Sequence, residues 1–349
     1  MLSLDHDFEK RLPLSHRLVK TVGTLREYRG MEAKYRQQTP QVLESLRQAA
    51  VIQSVESSNR IEGVIAPLGR IRAIVADNDA PRDRPEAEIA GYRDVLDTIH
   101  GSHEGIRLTS GVVQQFHRQL FARTDVRGGG EWKVQPNDIV RIHAGGRQEV
   151  RFSPPAPHLV GGLMQSLHDG LHAFRDAHTV DELLIIPAYV LDFLCIHPFP
   201  DGNGRMARLL TLLLLYQAGY EVGRFISLEQ LIEKSKRSYY DTLHKSSQGW
   251  HEGRHDLTPW TEYLLGTLVE AYRVFESRVG QVTTAKGAKT HLVEAVIEGM
   301  IGEFTAQDVL AKCPTASLDL VRRILTQQKA LGRIERIGEG RGSRWRRTA

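Results

Sequence analysis

The sequence predicts an all-α protein: a helical bundle with one β-hairpin flap, followed by a small C-terminal unit in which helices run into a basic hairpin. Three observations predict it. The stretches 179–196 and 205–220 are apolar on nearly every side, which marks helices in the middle of a bundle. Mid-chain, apolar and polar residues alternate at the period of a strand only over 138–152. The chain then turns basic: residues 321–349 carry nine Lys or Arg and two Glu, a charge of +7, against +4 for all 349 residues.

Taken in order, residues 15–60 read as helices. The pattern SHRLVKTVGTLREYRG stops at Gly30. A second starts with Thr39 as N-cap and Pro40 as first helical residue, runs apolar through Val42, Leu46, Ala49, Ala50 and Val55, and stops at or near Gly63. The stretch 78–85, rich in Asp and Pro, is a break. A helix carrying Ile89, Tyr92, Val95, Leu96 and Ile99 follows, then one over about Thr109 to Phe121 with Val112, Val113, Phe116 and Leu120 on one side. In the alternating stretch Val140 and Ile142 sit on one strand and Val150 and Phe152 on its partner, across a turn at Gly145 and Gly146. A proline-fixed link leads into a helix from about Leu159 to Ala173. The two central helices come next, and helices over about 228–247 and 258–279 complete the packing.

After Arg278 a polar link leads to a helix over 290–299, then a short one started by Thr305 with Asp308 three residues on as its capping partner. A longer helix within 315–332 and a ribbon around the glycines of RIERIGEGRGSRWRR end the chain. Helix, turn, helix and basic hairpin is the order of a winged helix-turn-helix. Three parts are therefore expected: a helical region over 1–80, the bundle over 81–280 and the winged unit over 286–349.

Hydrophobic residues at 41% and charged residues at 25% describe an ordinary soluble protein. No run approaches the roughly 18–20 apolar residues that span a bilayer, so no membrane partner is expected. The polar start lacks the apolar core of a secretory signal, and a cytoplasmic address is the expectation. Cys195 and Cys313 lie far apart beside apolar residues, as structural cysteines do. Nucleic acid, if bound, belongs at the C-terminal end, where the arginines of RGSRWRR could reach DNA phosphates with Trp345 packed beneath them.

The chemistry concentrates between the central helices, in HPFPDGNGRMAR from His197 to Arg208. Pro198 pushes His197 out of helical dihedrals, leaving the ring at the end of one buried helix. Gly202 and Gly204 let a ligand approach the backbone, and Asn203 can cap the helix that begins there. The N–H groups of that helix start favour an anion. Arg205 and Arg208, three apart, share a face and can reach one phosphate chain. Asp201 supplies a hard oxygen for magnesium. A neutral histidine beside such a polyphosphate site can take the proton of an incoming hydroxyl.

The same string resembles the signature of the Fic family, complete over His197, Pro198, Phe199, Asp201, Gly202, Asn203, Gly204, Arg205 and Arg208, with the wider resemblance covering about 80–245. The resemblance implies transfer of AMP from ATP to a Ser, Thr or Tyr hydroxyl of a protein, self-modification included. It implies His197 as general base, Asp201 as magnesium ligand, and Asn203 with the Gly202–Arg205 backbone on the α- and β-phosphates. Arg208 would take the γ-phosphate, Phe199 would anchor the loop, and the hairpin over 140–152 would line up the target by strand addition. Upstream, SSNRIEG sets Ser58, Glu62 and Gly63 in the spacing of the family's inhibitory helix, which implies that Glu62 pairs with Arg208 and holds the site off. Related members remove AMP or move UMP, phosphate or phosphocholine. A DNA-binding regulator whose Fic-like domain senses a nucleotide is the alternative from a different class. Bundle surfaces often pair, so a homodimer stays open.

Overall fold

The structure is a computed structural model that describes residues 2–38, 40–125, 128–142, 148–283, 288–300, 302–313, 316–338 and 343–348. It divides into two compact units: Met1–Arg26 with Ser54–Glu221 and Leu228–Val269, and Glu27–Gln53 with Val222–Ser227 and Glu270–Ala349. Helices dominate, as expected, and among the described residues there are two sheets, each a two-stranded ribbon.

The chain opens with α1 (Phe8–Arg11), α2 (His16–Gln38) and α3 (Pro40–Ile61). Thr39, the expected cap of α3, lies outside the described residues. The expected stop at Gly30 is wrong: α2 runs through it to Gln38. Gly30 is not among the residues with positive φ, and a glycine in right-handed conformation costs a helix only about 1 kcal/mol. Gly63, by contrast, has φ 83° and ends the α3 segment as expected. A helix that the sequence reading lacked, α4 (Leu68–Ala76), follows, burying Ile71 and Ile74.

The bundle proper begins with α5 (Arg84–Ser102), capped by Asp83, and α6 (Ser110–Phe121), capped by Thr109. Strands β1 (Ile139–Ile142) and β2 (Gln148–Phe152) pair antiparallel with Val140 opposite Val150. The glycines assigned to their turn, Gly145 and Gly146, lie outside the described residues. Phe152 stacks on His251 at 5.2 Å and fixes the base of the ribbon, whereas Val140 and Val150 stand exposed. α7 (Val160–Ala177) leads to α8 (Glu182–Ile196) and α9 (Asn203–Gln217), whose side chains are almost all buried. Their burial all round is why this pair reads as apolar on every side.

The single helix expected over 228–247 is two, α10 (Leu228–Lys234) and α11 (Lys236–Ser247). The break falls at Ser235, whose backbone leaves helical dihedrals at φ −110°, ψ 26° while its hydroxyl donates to Leu231 O at 2.8 Å. α12 (Thr258–Thr283) follows, and its Trp260 indole donates to Pro187 O of α8 at 2.9 Å.

In the second unit α13 (Ala288–Gly299), α14 (Ala306–Lys312) and α15 (Leu318–Ala330) precede β3 (Ile334–Ile337) and β4 (Arg344–Arg347). Thr305 and Asp308 form the expected capping box, each side chain bonded to the other's backbone. Val296, Ile297, Val309, Cys313, Val321, Ile324 and Trp345 share one apolar core. Phe304 and Trp345 exchange backbone hydrogen bonds at 2.9 and 2.7 Å, tying the ribbon to the turn before α14. Arg341 and Gly342 of the basic string fall outside the described residues. Both cysteines are buried and free, and no helix is long and apolar enough to cross a membrane among the described residues.

Candidate active site

α8 ends by handing over to a turn that no helix could continue. His197 closes the helix with its N–H on Phe193 O at 3.0 Å and then takes φ 48°, ψ 60°. The sequence reading placed it outside helical dihedrals; the structure puts it in the left-handed region, which costs a non-glycine residue about 1–2 kcal/mol. The ring is half-buried, with Nδ1 3.2 Å from Leu194 O. A carbonyl can only accept, so Nδ1 carries the proton and Nε2 keeps its lone pair. Burial pushes the ring's pKa down to about 4; the Lys133 cation acts in the same direction, against Glu62 and Asp201. At neutral pH His197 is therefore an uncharged base.

The turn itself is built from side chains outside the motif as well as within it. Phe199 is fully buried and lies flat on His117, ring centroids 3.7 Å apart and planes within 5°. His117 accepts from Gly130 N–H at Nδ1 and donates from Nε2 to Asp201 O at 3.0 Å, so one imidazole stacks and hydrogen-bonds the loop at once. Burial keeps it neutral, pKa about 4, as this donor–acceptor pattern requires.

Asn203 was expected to cap α9 and does not. Gly202 is the cap residue, with φ 79°, and Asn203 is the first helical residue. Its amide instead reaches back across the turn, accepting from Phe199 N at 3.0 Å and donating to Phe199 O at 2.7 Å. A side chain that satisfies both backbone groups of Phe199 fixes the turn more firmly than a cap would.

Two glycines leave the backbone of the helix start bare. A β-carbon on Gly202 would press within 2.9 Å of the Phe121 ring, and one on Gly204 would lie 2.1 Å from Glu62 Oε1. The first-turn N–H groups of α9 have no carbonyl of their own helix to bond. The Glu62 carboxylate therefore sits against the bare backbone of Gly204, where an anion would approach. Asp201 points outward, 63% exposed, with Oδ1 accepting from Gly202 N. Among the described residues no group of three or more His, Cys, Asp or Glu could hold a metal by itself.

The two arginines, expected to share one phosphate chain, are tied to different partners. Arg205 is 1% exposed, donates to Glu88 Oε2 at 2.5 Å and lies 5.1 Å over the Phe121 ring, with Asp201 Oδ1 3.9 Å away. Arg208 donates from Nε to Ser58 Oγ, and from Nη2 to Ser58 O and Glu62 Oε1, each at 2.8 Å. Burial opposes its charge, yet the Glu62 carboxylate together with the Tyr239 and Tyr92 side chains pushes its pKa up. Ser58, Glu62 and Gly63 thus arrive together, Gly63 giving the positive φ that closes the turn behind Glu62.

Sequence reasoning missed His117, Glu88, Lys133 and Asn137. Glu88 stands four residues after Arg84 on α5 and pairs with it, so it reads as a surface ion pair until Arg205 appears on its other oxygen. The WKVQPND stretch carries a signal: Lys133 and Asn137 flank a proline in a polar segment, yet Lys133 is 2% exposed.

Residues 107–215 match the model of the Fic/DOC family. The protein adenylyltransferase Fic of Drosophila willistoni is 27% identical over 229 residues, covering 64% of this chain and 41% of its own length. That of Aedes aegypti is 26% identical over 232 residues, 65% of this chain and 42% of its own. The chain thus spans less than half the length of these curated relatives. A Fic family protein from Desulfovibrio desulfuricans G20 superposes with a TM-score of 0.59 at 22% identity, covering 96% of this chain and 97% of its own. A Fic domain containing signaling protein from Bacteroides thetaiotaomicron gives 0.60 at 21% identity over 72% of this chain and 95% of its own.

Proposed function

The chain carries a Fic/DOC family domain over residues 107–215, and from that premise we propose that it is a protein adenylyltransferase moving AMP from ATP to a Ser, Thr or Tyr hydroxyl, held at low activity by Glu62. The observation that carries the reading is the pairing of an uncharged His197, its Nε2 lone pair free of the Leu194 contact, with an α9 start whose glycines leave backbone open to phosphate. His197 Nε2 takes the hydroxyl proton. The oxygen bonds to the α-phosphorus while the bond to the bridging oxygen breaks, and pyrophosphate leaves with its electron pair. The Gly202–Arg205 backbone holds the α- and β-phosphates and Arg208 the γ-phosphate, with Arg205 held against Asp201 by Glu88.

Magnesium fits the donor set. The ion is commonly bound by one or two carboxylates plus substrate phosphates, and Asp201 offers one exposed carboxylate at the anion site. When bound it supplies positive charge against the phosphates.

Glu62 regulates by position. Its carboxylate occupies the contact that the γ-phosphate needs on Arg208 and lies against Gly204. The same site run on a modified protein would remove AMP, with Glu62 orienting water. ATP labelled on its α- or its γ-phosphorus separates the readings: Glu62→Gly protein should retain only the α-label, and His197→Ala neither. A retained γ-label would mean phosphate transfer, and no label with any protein mixture would count against a transferase.

The second unit supports a winged helix-turn-helix reading through its order of three helices and a ribbon. Its ribbon arginines have partners nearby: Arg346 with Glu335, Arg344 with Glu303, and Arg347 with Glu298 O. Two of these arginines already pair with carboxylates, which favours docking of a protein over duplex phosphates, and a salt-dependent duplex affinity of the full chain would reverse that preference.

A further inference from the structure

Four consecutive carbonyls of the turn that carries His197 are held from a single five-residue segment. Lys133 Nζ donates to Ile196 O at 3.1 Å, and the Lys133 N–H donates to Pro198 O at 2.8 Å. Asn137 Nδ2 donates to Phe199 O at 2.8 Å and, at 3.4 Å, to His197 O. The two side chains also brace each other, Lys133 Nζ to Asn137 Oδ1 at 2.7 Å. Two residues later the chain enters β1.

Lys133 is an unusual choice for this task if the task were packing alone. An ammonium 2% exposed costs free energy unless its donors are used. Here they are used at the C-terminal carbonyl of α8, where the helix dipole favours a cation. Burial draws its pKa down to about 8, which still leaves it charged at neutral pH.

We propose that Lys133 and Asn137 are positioning residues for His197: they lock its left-handed turn through the four carbonyls, and the Lys133 ammonium, held on Ile196 O, sets a positive charge one residue before the histidine. The proposal rests on His197 being the base. Three charged groups bear on that ring: Lys133 opposes its protonation, whereas Glu62 and Asp201 favour it, and Leu194 O fixes its tautomer. Lysine as mere filling would leave the ring's titration unmoved.

The test is histidine-selective nitrogen NMR on the full chain, with His197 assigned through its loss in His197→Gln. In the wild type the ring stays neutral down to about pH 4. Lys133→Met should raise its pKa by about one unit or more, and Lys133→Arg should restore it. Should the methionine variant not fold, Lys133→Gln gives the same comparison with donors kept and charge removed. A folded, uncharged variant whose His197 titrates as in the wild type overturns the charge role.

For the turn, Asn137→Ala in a Glu62→Gly background should lower kcat for AMP transfer by about tenfold with KM for ATP little changed, while Asn137→Asp, which keeps only the acceptor, should behave like alanine. An unchanged kcat overturns the positioning role of Asn137. If the Glu62→Gly background itself transfers nothing, the transferase reading has failed, and the titration still decides the role of Lys133.

Discussion

Glu62 and Arg208, 146 residues apart in the chain, meet in a 2.8 Å ion pair at the start of α9. The arginine is 3% exposed and the glutamate 30%, so the switchable partner is the one that solvent reaches. Arg208 keeps two further bonds to Ser58 when Glu62 is removed, so two of its buried donors stay satisfied.

Glu62→Gly should therefore activate without unfolding. A charge-assisted hydrogen bond is worth about 1.5–3 kcal/mol, so AMP transfer should rise roughly 10- to 100-fold. Label incorporation beside a melting curve checks this; activation accompanied by loss of the folded state would count against a specific contact.

His197 should separate chemistry from conformation. Replacing a general base costs about two to four orders of magnitude in rate, so both His197→Ala and His197→Asn should lose transfer. Asparagine tolerates the left-handed region better than alanine, so His197→Asn should be about 1 kcal/mol more stable than His197→Ala. Denaturant midpoints of the two variants check the difference.

Glu88 is expected to matter for folding more than its surface pairing with Arg84 suggests. Removing one partner of a buried pair leaves the other unpaired, so Glu88→Ala should cost about 3–5 kcal/mol by stranding Arg205. Glu88→Gln, which keeps an acceptor, should cost clearly less. Equal urea midpoints for the two would contradict the account.

Acid should weaken the fold between about pH 6.5 and 4. Burial pushes His117, His168, His197 and His255 each down to about 4. Below pH 6.5 the unfolded chain takes up protons that the folded chain refuses until about pH 4, so stability present above 6.5 is lost as pH falls through that window. A shift of that size is worth on the order of 3 kcal/mol per ring, less where solvent reaches it. Asp192, pushed up to about 6 by burial, acts in the opposite direction and offsets part of the loss. Urea unfolding at pH 7.5 and pH 5 should show the decline; a flat profile would contradict it.

What the sequence made legible was chemistry carried by neighbours in the chain. His197, Phe199, Asp201, Gly202 and Gly204 lie within eight residues, so the turn between α8 and α9 was legible from their types and spacing. The apolar pair α8 and α9 and the hairpin were legible for a similar reason, since each follows a local period. Asn203 was misassigned because an asparagine at a helix start has two uses, and the choice depended on Phe199 folding back towards it. Glu88, His117 and Lys133 stayed hidden because each acts on the turn across the bundle, through contacts 63 to 117 residues apart in sequence, further than any local pattern spans. α4 was lost to the break after it, although Ile71 and Ile74 repeat at helical spacing.

The central claim is that Glu62 withholds Arg208 from the γ-phosphate, and calorimetry of ATP against ADP binding in magnesium tests it most directly. Wild-type protein should bind the two nucleotides with nearly equal affinity, whereas Glu62→Gly should bind ATP about tenfold tighter than ADP, the preference that one regained charge-assisted contact confers. Equal affinities in Glu62→Gly, or a clear ATP preference already present in the wild type, would contradict it.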